Sequence, residues 1–155
     1  MKLSLPQRSQ GRPRTQTPEL LTAVITSDWH TPEVDIPTYR AVLNFIRDKR
    51  PQYHFLNGDL VDAYELSSFD KDPRRFGQTT EELEMAGNIL DELAEASPTT
   101  ITKILYGNHE ERIVRRLNEH PELLAFFTKS KDPNEVLAEA LNLAERNIEW
   151  FPYPY

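Results

Sequence analysis

Three times along this chain a short β-rich run ends in a polar loop and gives way to apolar residues at helical spacing, and no other feature constrains the fold as strongly. The first run is Leu20 to Thr26, closed by Ser27 and Asp28. After the loop Ser27-Asp28-Trp29-His30-Thr31-Pro32, Asp35 and Pro37 stand where a helix start wants them, and Tyr39, Val42, Leu43 and Ile46 recur at helical steps until Pro51. Tyr53 to Leu56 is the second predicted strand, with Asn57-Gly58-Asp59 at its exit. An irregular stretch, Ala63 to Gln78, leads to a helix in which Thr79 and Glu82 would form a capping box and Leu83, Gly87, Leu90 and Leu93 one face. Thr100 to Leu105 is the third strand, left through Tyr106-Gly107-Asn108-His109-Glu110 into a helix carrying Ile113, Val114 and Leu117. Asp132, Pro133 and Glu135 open a further helix with Val136, Leu137, Ala140, Leu141 and Ala144 as its stripe, and Ile148 to Phe151 is a candidate fourth strand.

Such alternation predicts an α/β fold, a mixed or parallel β-sheet flanked by helices on both faces and joined by right-handed crossovers. Ligands of such sheets bind at the edge where strands run out into their crossovers, so the three loops should converge. A chain of 155 residues with 38% apolar and 28% charged side chains suits one folded domain. We place it at 19–155, after a flexible arm at 1–18 that has no apolar period and whose Lys2, Arg8, Arg12 and Arg14 could touch a phosphate backbone. Cysteine is absent, which excludes disulfides, thiolate zinc sites and cysteine nucleophiles together. Any metal must then be held by carboxylate, imidazole, amide or water, the ligands of harder divalent ions. The formal charge of -7 speaks against a broadly basic nucleic-acid surface. No apolar run approaches the roughly 20 residues needed to span a bilayer, and the N-terminus lacks the apolar core of a secretion signal, so the expected setting is cytoplasmic. There is no Walker loop and no supportable Ser/His/Asp arrangement.

The three loops offer Asp28 and His30, then Asp59 with Asp62, then Asn108 with His109 and Glu110. Asp28 and His30, one residue apart in a loop expected to be extended, would share a face. Gly58 and Gly107 let the backbone turn sharply ahead of Asp59 and Asn108. Any one of these loops alone is an ordinary polar turn. Three in order, each directly after a predicted strand, are a site.

Ser27-Asp28-Trp29-His30, Asn57-Gly58-Asp59-Leu60-Val61-Asp62 and Tyr106-Gly107-Asn108-His109-Glu110 resemble the first three motifs of the calcineurin-like metallophosphoesterases, over about Leu21 to Arg112. The surrounding text, including Ser68-Phe69-Asp70-Lys71-Asp72-Pro73, is most similar to bacteriophage and bacterial members. The resemblance implies the first half of a four-layer α/β-β/α sandwich. It also implies hydrolysis of a phosphate mono- or diester by water activated at two divalent metal ions: manganese, iron, zinc or magnesium. Carried over to this chain, Asp28 and His30 bind one metal, Asp59 bridges both, and Asn108 binds the second. His109 becomes the acid or electrostatic partner of the leaving oxygen. Two ions about 3.5–4 Å apart would clamp a phosphoryl group and acidify a bridging water, with Asp59 setting their spacing.

Other residues carry readings of their own. Asp62 could orient Asp59 or His30 as an outer acceptor, against the alternative of a turn cap. Arg112 could hold a substrate phosphate, against an ordinary solvated helix face, the reading that also covers Glu110 and Glu111. His54 reads as a packed or hydrogen-bonded strand histidine, Trp29 as a wall or a stacking platform, and Ala63 to Gln78 as a candidate substrate lid. Family members complete the site with a later histidine and a Gly-His-x-His loop, and nothing beyond Asn108 supplies either; His120 reads as a helix-end residue. We therefore expect an incomplete site, a missing C-terminal portion or a second chain as partner, and an exposed apolar sheet face or edge. The rival reading is a non-catalytic remnant or one subunit of a split phosphoesterase. A nucleic-acid-binding role has only the basic arm behind it. The substrate stays open among small molecule, nucleotide and nucleic acid.

Overall fold

The computed structural model of the protein describes residues 20–152. The arm expected at 1–18, with its four basic residues, lies outside them. The elements follow the predicted alternation: β1 (Ala23–Thr26), α1 (Ile36–Lys49), β2 (Tyr53–Asn57), two 3-10 turns (Tyr64–Leu66 and Pro73–Arg75), α2 (Thr79–Ala96), β3 (Ile101–Leu105), α3 (Asn108–Glu119), a third 3-10 turn (Pro121–Leu123), α4 (Leu124–Phe127), α5 (Glu135–Ala140) and β4 (Glu149–Phe151). The four strands pair in the order β1-β2-β3-β4, every pair parallel.

Local chemistry sets the helix ends. Asp35 caps α1 by accepting from the Thr38 N–H at 2.9 Å, and Arg50 closes it in the left-handed region with its N–H on the Ile46 carbonyl. The capping box expected of Thr79 and Glu82 does not form. Gln78 stands at the cap, and the Glu82 carboxylate turns inward to accept from the Ala63 N–H at 3.0 Å. The helix drawn through Ala144 stops at Ala140, because Asn142 takes φ of 48°, and leaves Ala140 and Ala144 outside the core. The predicted stripes of the other helices are buried as expected: Tyr39, Leu43 and Ile46 on α1, Gly87, Leu90 and Leu93 on α2, Val114 and Leu117 on α3.

The core lies between these helices and one face of the sheet, where His54, Leu56 and Ile104 are fully buried and Val24 and Trp150 partly so. Coverage on both faces, expected from the alternation, is not found among the described residues. Strand order in chain sequence, with each crossover of the usual right hand, puts successive helices on the same side. On the other side the register aligns three rows: Ala23, Tyr53 and Ile101; Ile25, Phe55, Lys103 and Glu149; and Asn57, Leu105 and Phe151. Ile25 is 69% exposed, Ile101 48% and Phe151 40%. Among the described residues the apolar face expected to lie open is there, interrupted by Asn57 and the Lys103–Glu149 ion pair.

Candidate metal centre

The loops after β1, β2 and β3 meet at the carboxyl ends of their strands. The first two run side by side as a continuation of the β1–β2 ladder: Asp28 N–H donates to the Gly58 carbonyl at 3.2 Å, His30 N–H to Asp59 at 2.9 Å, and Thr31 N–H to Leu60 at 2.9 Å, before Asp62 N–H returns to Thr31. The second and third loops are pressed together through glycines. Gly58 has φ of +84°, and a Cβ on it would lie 2.8 Å from the Gly107 Cα. A Cβ on Gly107 would lie 2.2 Å from Asp59 Oδ1. Among the described glycines, only at this pair does the absence of a side chain let two backbones and a carboxylate occupy one space.

Asp28 at φ 57°, His30 at 47° and Asp59 at 57° all sit in the left-handed region, which for residues other than glycine costs on the order of 1–3 kcal/mol each. The loop that was expected to be extended is thus curled, and Asp28 and His30 meet for a different reason from the one the spacing gave. Left-handed turns flank Trp29 and aim both neighbours at one point, with His30 Nε2 3.7 Å from Asp28 Oδ1. Trp29 itself is buried as a wall. Its indole N–H donates to Thr26 Oγ1 at 3.0 Å, and its ring meets Tyr39 edge-on at 5.4 Å.

Two clusters result. Ligand atoms of Asp28, His30 and Asp59 lie within 4.8 Å of one another, as do those of His30, Asp62 and His109. The donors are carboxylates and imidazoles, a set that suits a divalent cation of intermediate to hard character. Asn108 opens α3 and is exposed, and the N–H of the next residue, His109, donates to Asp59 Oδ1 at 3.0 Å. The His30 and His109 rings stand edge to face, 4.3 Å apart.

Asp62 lies at the heart of the second cluster. Its Oδ1 is 3.0 Å from His109 Nδ1 and 3.7 Å from His30 Nδ1, while Oδ2 binds Arg75 Nη2 at 2.7 Å. Sequence spacing tied Asp62 to Asp59 or His30; the nearest imidazole is that of His109. Arg112 is no solvated face residue. Its Nη1 donates to the Asp62 carbonyl at 2.9 Å and its Nη2 reaches His109 Nε2 at 2.8 Å. Because a guanidinium can only donate, Nε2 must accept, and the His109 proton then resides on Nδ1, facing the Asp62 carbonyl at 2.7 Å.

Glu110, grouped with the candidate ligands by sequence, is withdrawn from that role. It is 1% exposed, and both oxygens are used by backbone: Oε1 accepts from Leu60 and Val61, Oε2 from Asp59 and Gly107. A glutamate three residues past the Gly107 helix cap was the available signal, since that position reaches back to the cap N–H. Arg75 stands out in the sequence only as one of two arginines, with Arg74, in the candidate lid. His54 is the packed histidine expected: Nε2 lies 2.9 Å from Thr26 Oγ1, and burial lowers its pKa to about 4. His120 ends α3 beside Glu122. The Ala63 to Gln78 stretch reaches the site through Arg75 on Asp62 and is tied within itself by Glu65, which accepts from Gly77 and Gln78, and by Lys71, which donates to Tyr64 and Ser67. Among the described residues no helix is long and apolar enough to cross a membrane.

Comparison with known proteins gives one family. A model described as calcineurin-like phosphoesterase matches residues 21–155, extending beyond the stretch that carries the three motifs. No curated protein and no solved structure matches.

Proposed function

The chain belongs to the calcineurin-like phosphoesterase family, whose members hydrolyse phosphoesters with metal help, and on that premise we propose that its own site is a dinuclear one assembled from Asp28, His30, Asp59 and Asn108. The convergence of Asp28, His30 and Asp59 within 4.8 Å, bought with three left-handed ligand residues, is the observation that carries this reading. Asp28 and His30 would hold one ion, Asp59 would lie between two, and Asn108 would complete the second. When bound, divalent ions such as manganese supply charge neutralisation at the phosphoryl group and acidify water.

The remaining steps belong to the chain's own side chains. Asp62 orients the His109 ring, its backbone carbonyl accepting from Nδ1–H at 2.7 Å with Oδ1 3.0 Å from the same nitrogen, and Arg112 occupies Nε2. A phosphoester entering beside them offers Arg112 a better acceptor than a neutral imidazole. Once the guanidinium turns to the phosphate, Nε2 is free to take up a proton from solvent, with Nδ1–H still held on Asp62, and to pass it to the leaving oxygen. Arg112 is thereby a substrate-binding residue and His109 the catalytic acid, released only with substrate present. A groove of about 260 Å³ lined by Ser27, Asp28, Trp29 and Tyr39 opens beside the first cluster and is a place for the ester's organic group. A second reading, one part of an assembly completed by further polypeptide, has the open apolar sheet face in its favour.

Manganese titration by calorimetry, paired with aryl phosphate hydrolysis, tests the assignment. The chain should bind manganese, and any hydrolysis should vanish with a chelator. Asp59→Asn should lose metal, because a neutral amide cannot offset two cations at once. His109→Ala should keep its metal and lose turnover by a factor on the order of 10²–10⁴. Absence of manganese binding by the unaltered chain, or an Asp59→Asn variant with full metal content, would overturn the reading.

A further inference from the structure

We propose that Arg75, supplied by the Ala63 to Gln78 stretch, is a positioning residue: it fixes the Asp62 carboxylate so that Oδ1 is presented to His109, and the stretch exists partly to deliver it. This inference rests on the proposed role of His109 but is tested without it. Asp62 is a bridging carboxylate with its two oxygens divided between two tasks. Oδ2 accepts from Arg75 Nη2 at 2.7 Å, and Oδ1 faces His109 Nδ1 at 3.0 Å. A carboxylate turns about its Cβ–Cγ bond with little resistance, and that torsion is broad. Without a partner on Oδ2, nothing else among the described contacts would keep Oδ1 on the imidazole, since Arg112 Nη1 is 3.8 Å from the same Oδ1 and bonds the backbone carbonyl instead.

Arg75 is itself fixed in place. Its guanidinium carbon lies 3.9 Å above the Tyr64 ring, and Glu33, from the first metal-ligand loop, is 3.7 Å away. The turn that carries it is built for the purpose: Asp72 caps the Pro73–Arg75 helix by accepting from the Arg74 N–H, and Pro73 presets its first residue. Arg75 Nε–H, in contrast, is buried with no acceptor among the described residues. A cation held this way against one carboxylate that in turn faces two imidazoles is placed for the site rather than for stability.

Ring nitrogens of the chain's four histidines, observed by ¹⁵N NMR on metal-free full chain, give the test. In the unaltered chain His109 should show a single Nδ1–H tautomer. Arg75→Met keeps the stem over Tyr64 and removes the charged fork; it should shift the His109 Nδ1 signal as Oδ1 swings away, with the Nδ1–H tautomer kept by Arg112 and the Asp62 carbonyl, while His54 and His120 stay in place. Arg75→Lys, with one point donor, should give an intermediate shift, and it stands in if the methionine variant does not fold, which the buried His54 signal reports. In turnover of an aryl phosphate with manganese, kcat should fall by a factor on the order of 10 to 10² at unchanged KM, and the effect should disappear in an Asp62→Asn background. Unchanged His109 signals in both variants would overturn the proposal and leave Arg75 as an anchor of its own segment. A raised KM at constant kcat would overturn it in favour of a direct grip on substrate. If the unaltered chain shows no hydrolysis, the functional reading fails while the NMR outcome still decides this one.

Discussion

Glu110 offers no oxygen to solvent, yet the site is built around it. Four backbone N–H groups, from Asp59, Leu60, Val61 and Gly107, converge on one carboxylate and so lock the second loop to the first turn of α3. An amide in the same place has one acceptor oxygen and turns an NH₂ group toward two donors, so Glu110→Gln should destabilise the metal-free chain by about 3 kcal/mol in a urea titration. A loss under about 1 kcal/mol would mean that the loops hold together without it. Sequence reasoning saw the residue type and the position but weighed it as a ligand or a wet helix face. Burial decides between those uses, and burial comes from Asp59 and Gly107 lying across the sheet edge, a tertiary fact. The same holds for Asp62, whose partner His109 is far along the chain, and for Arg75, whose only signature is an arginine in an irregular stretch.

At the level of elements, the three strand-loop-helix units were legible because each helix stripe and each strand run carries its own period, and those periods survive packing. Local signals failed where a tertiary partner competed. Glu82 gave up the Thr79 capping box for the Ala63 N–H, and the last helix yielded at Asn142 to a left-handed turn. The glycines were legible as turns but not as a contact. Gly107 has φ of -95°, open to any residue, so its need for a bare Cα is steric and comes wholly from Asp59. Gly77 is the opposite case, with φ of +83° and empty space around it. Gly107→Ala should therefore abolish manganese binding by displacing the Asp59 carboxylate. Gly77→Ala should leave binding intact and cost about 1 kcal/mol of stability from backbone strain alone. Calorimetry on the pair checks this, and tight manganese binding by Gly107→Ala would refute the account of the loop contact.

Across the whole molecule two buried titratable groups, neither a candidate metal ligand, pull stability in opposite directions with pH. His54 is neutral inside the sheet, burial having lowered its pKa from 6.5 to about 4. The unfolded chain takes up that proton first as the solution is acidified, so the contribution is present above pH 6.5 and lost as pH falls through 4; at pH 5 about 2 kcal/mol is gone. Glu82 is raised from 4.5 to about 7, chiefly by burial, with the Ala63 N–H opposing. Its folded form binds the proton more tightly, so folding gains as pH falls from 7 toward 4.5, by about 2 kcal/mol at pH 5. Equal shifts of opposite sign should leave the chain nearly indifferent to pH between 7 and 5. Glu82→Gln keeps an acceptor for Ala63 while removing the titration, and should expose the His54 limb. Its urea-derived stability, measured on metal-free protein, should drop by about 2 kcal/mol from pH 7 to pH 5 while the unaltered chain changes by much less. If both proteins show the same slope, Glu82 is ionised in the fold and its burial has been compensated by the loop it holds.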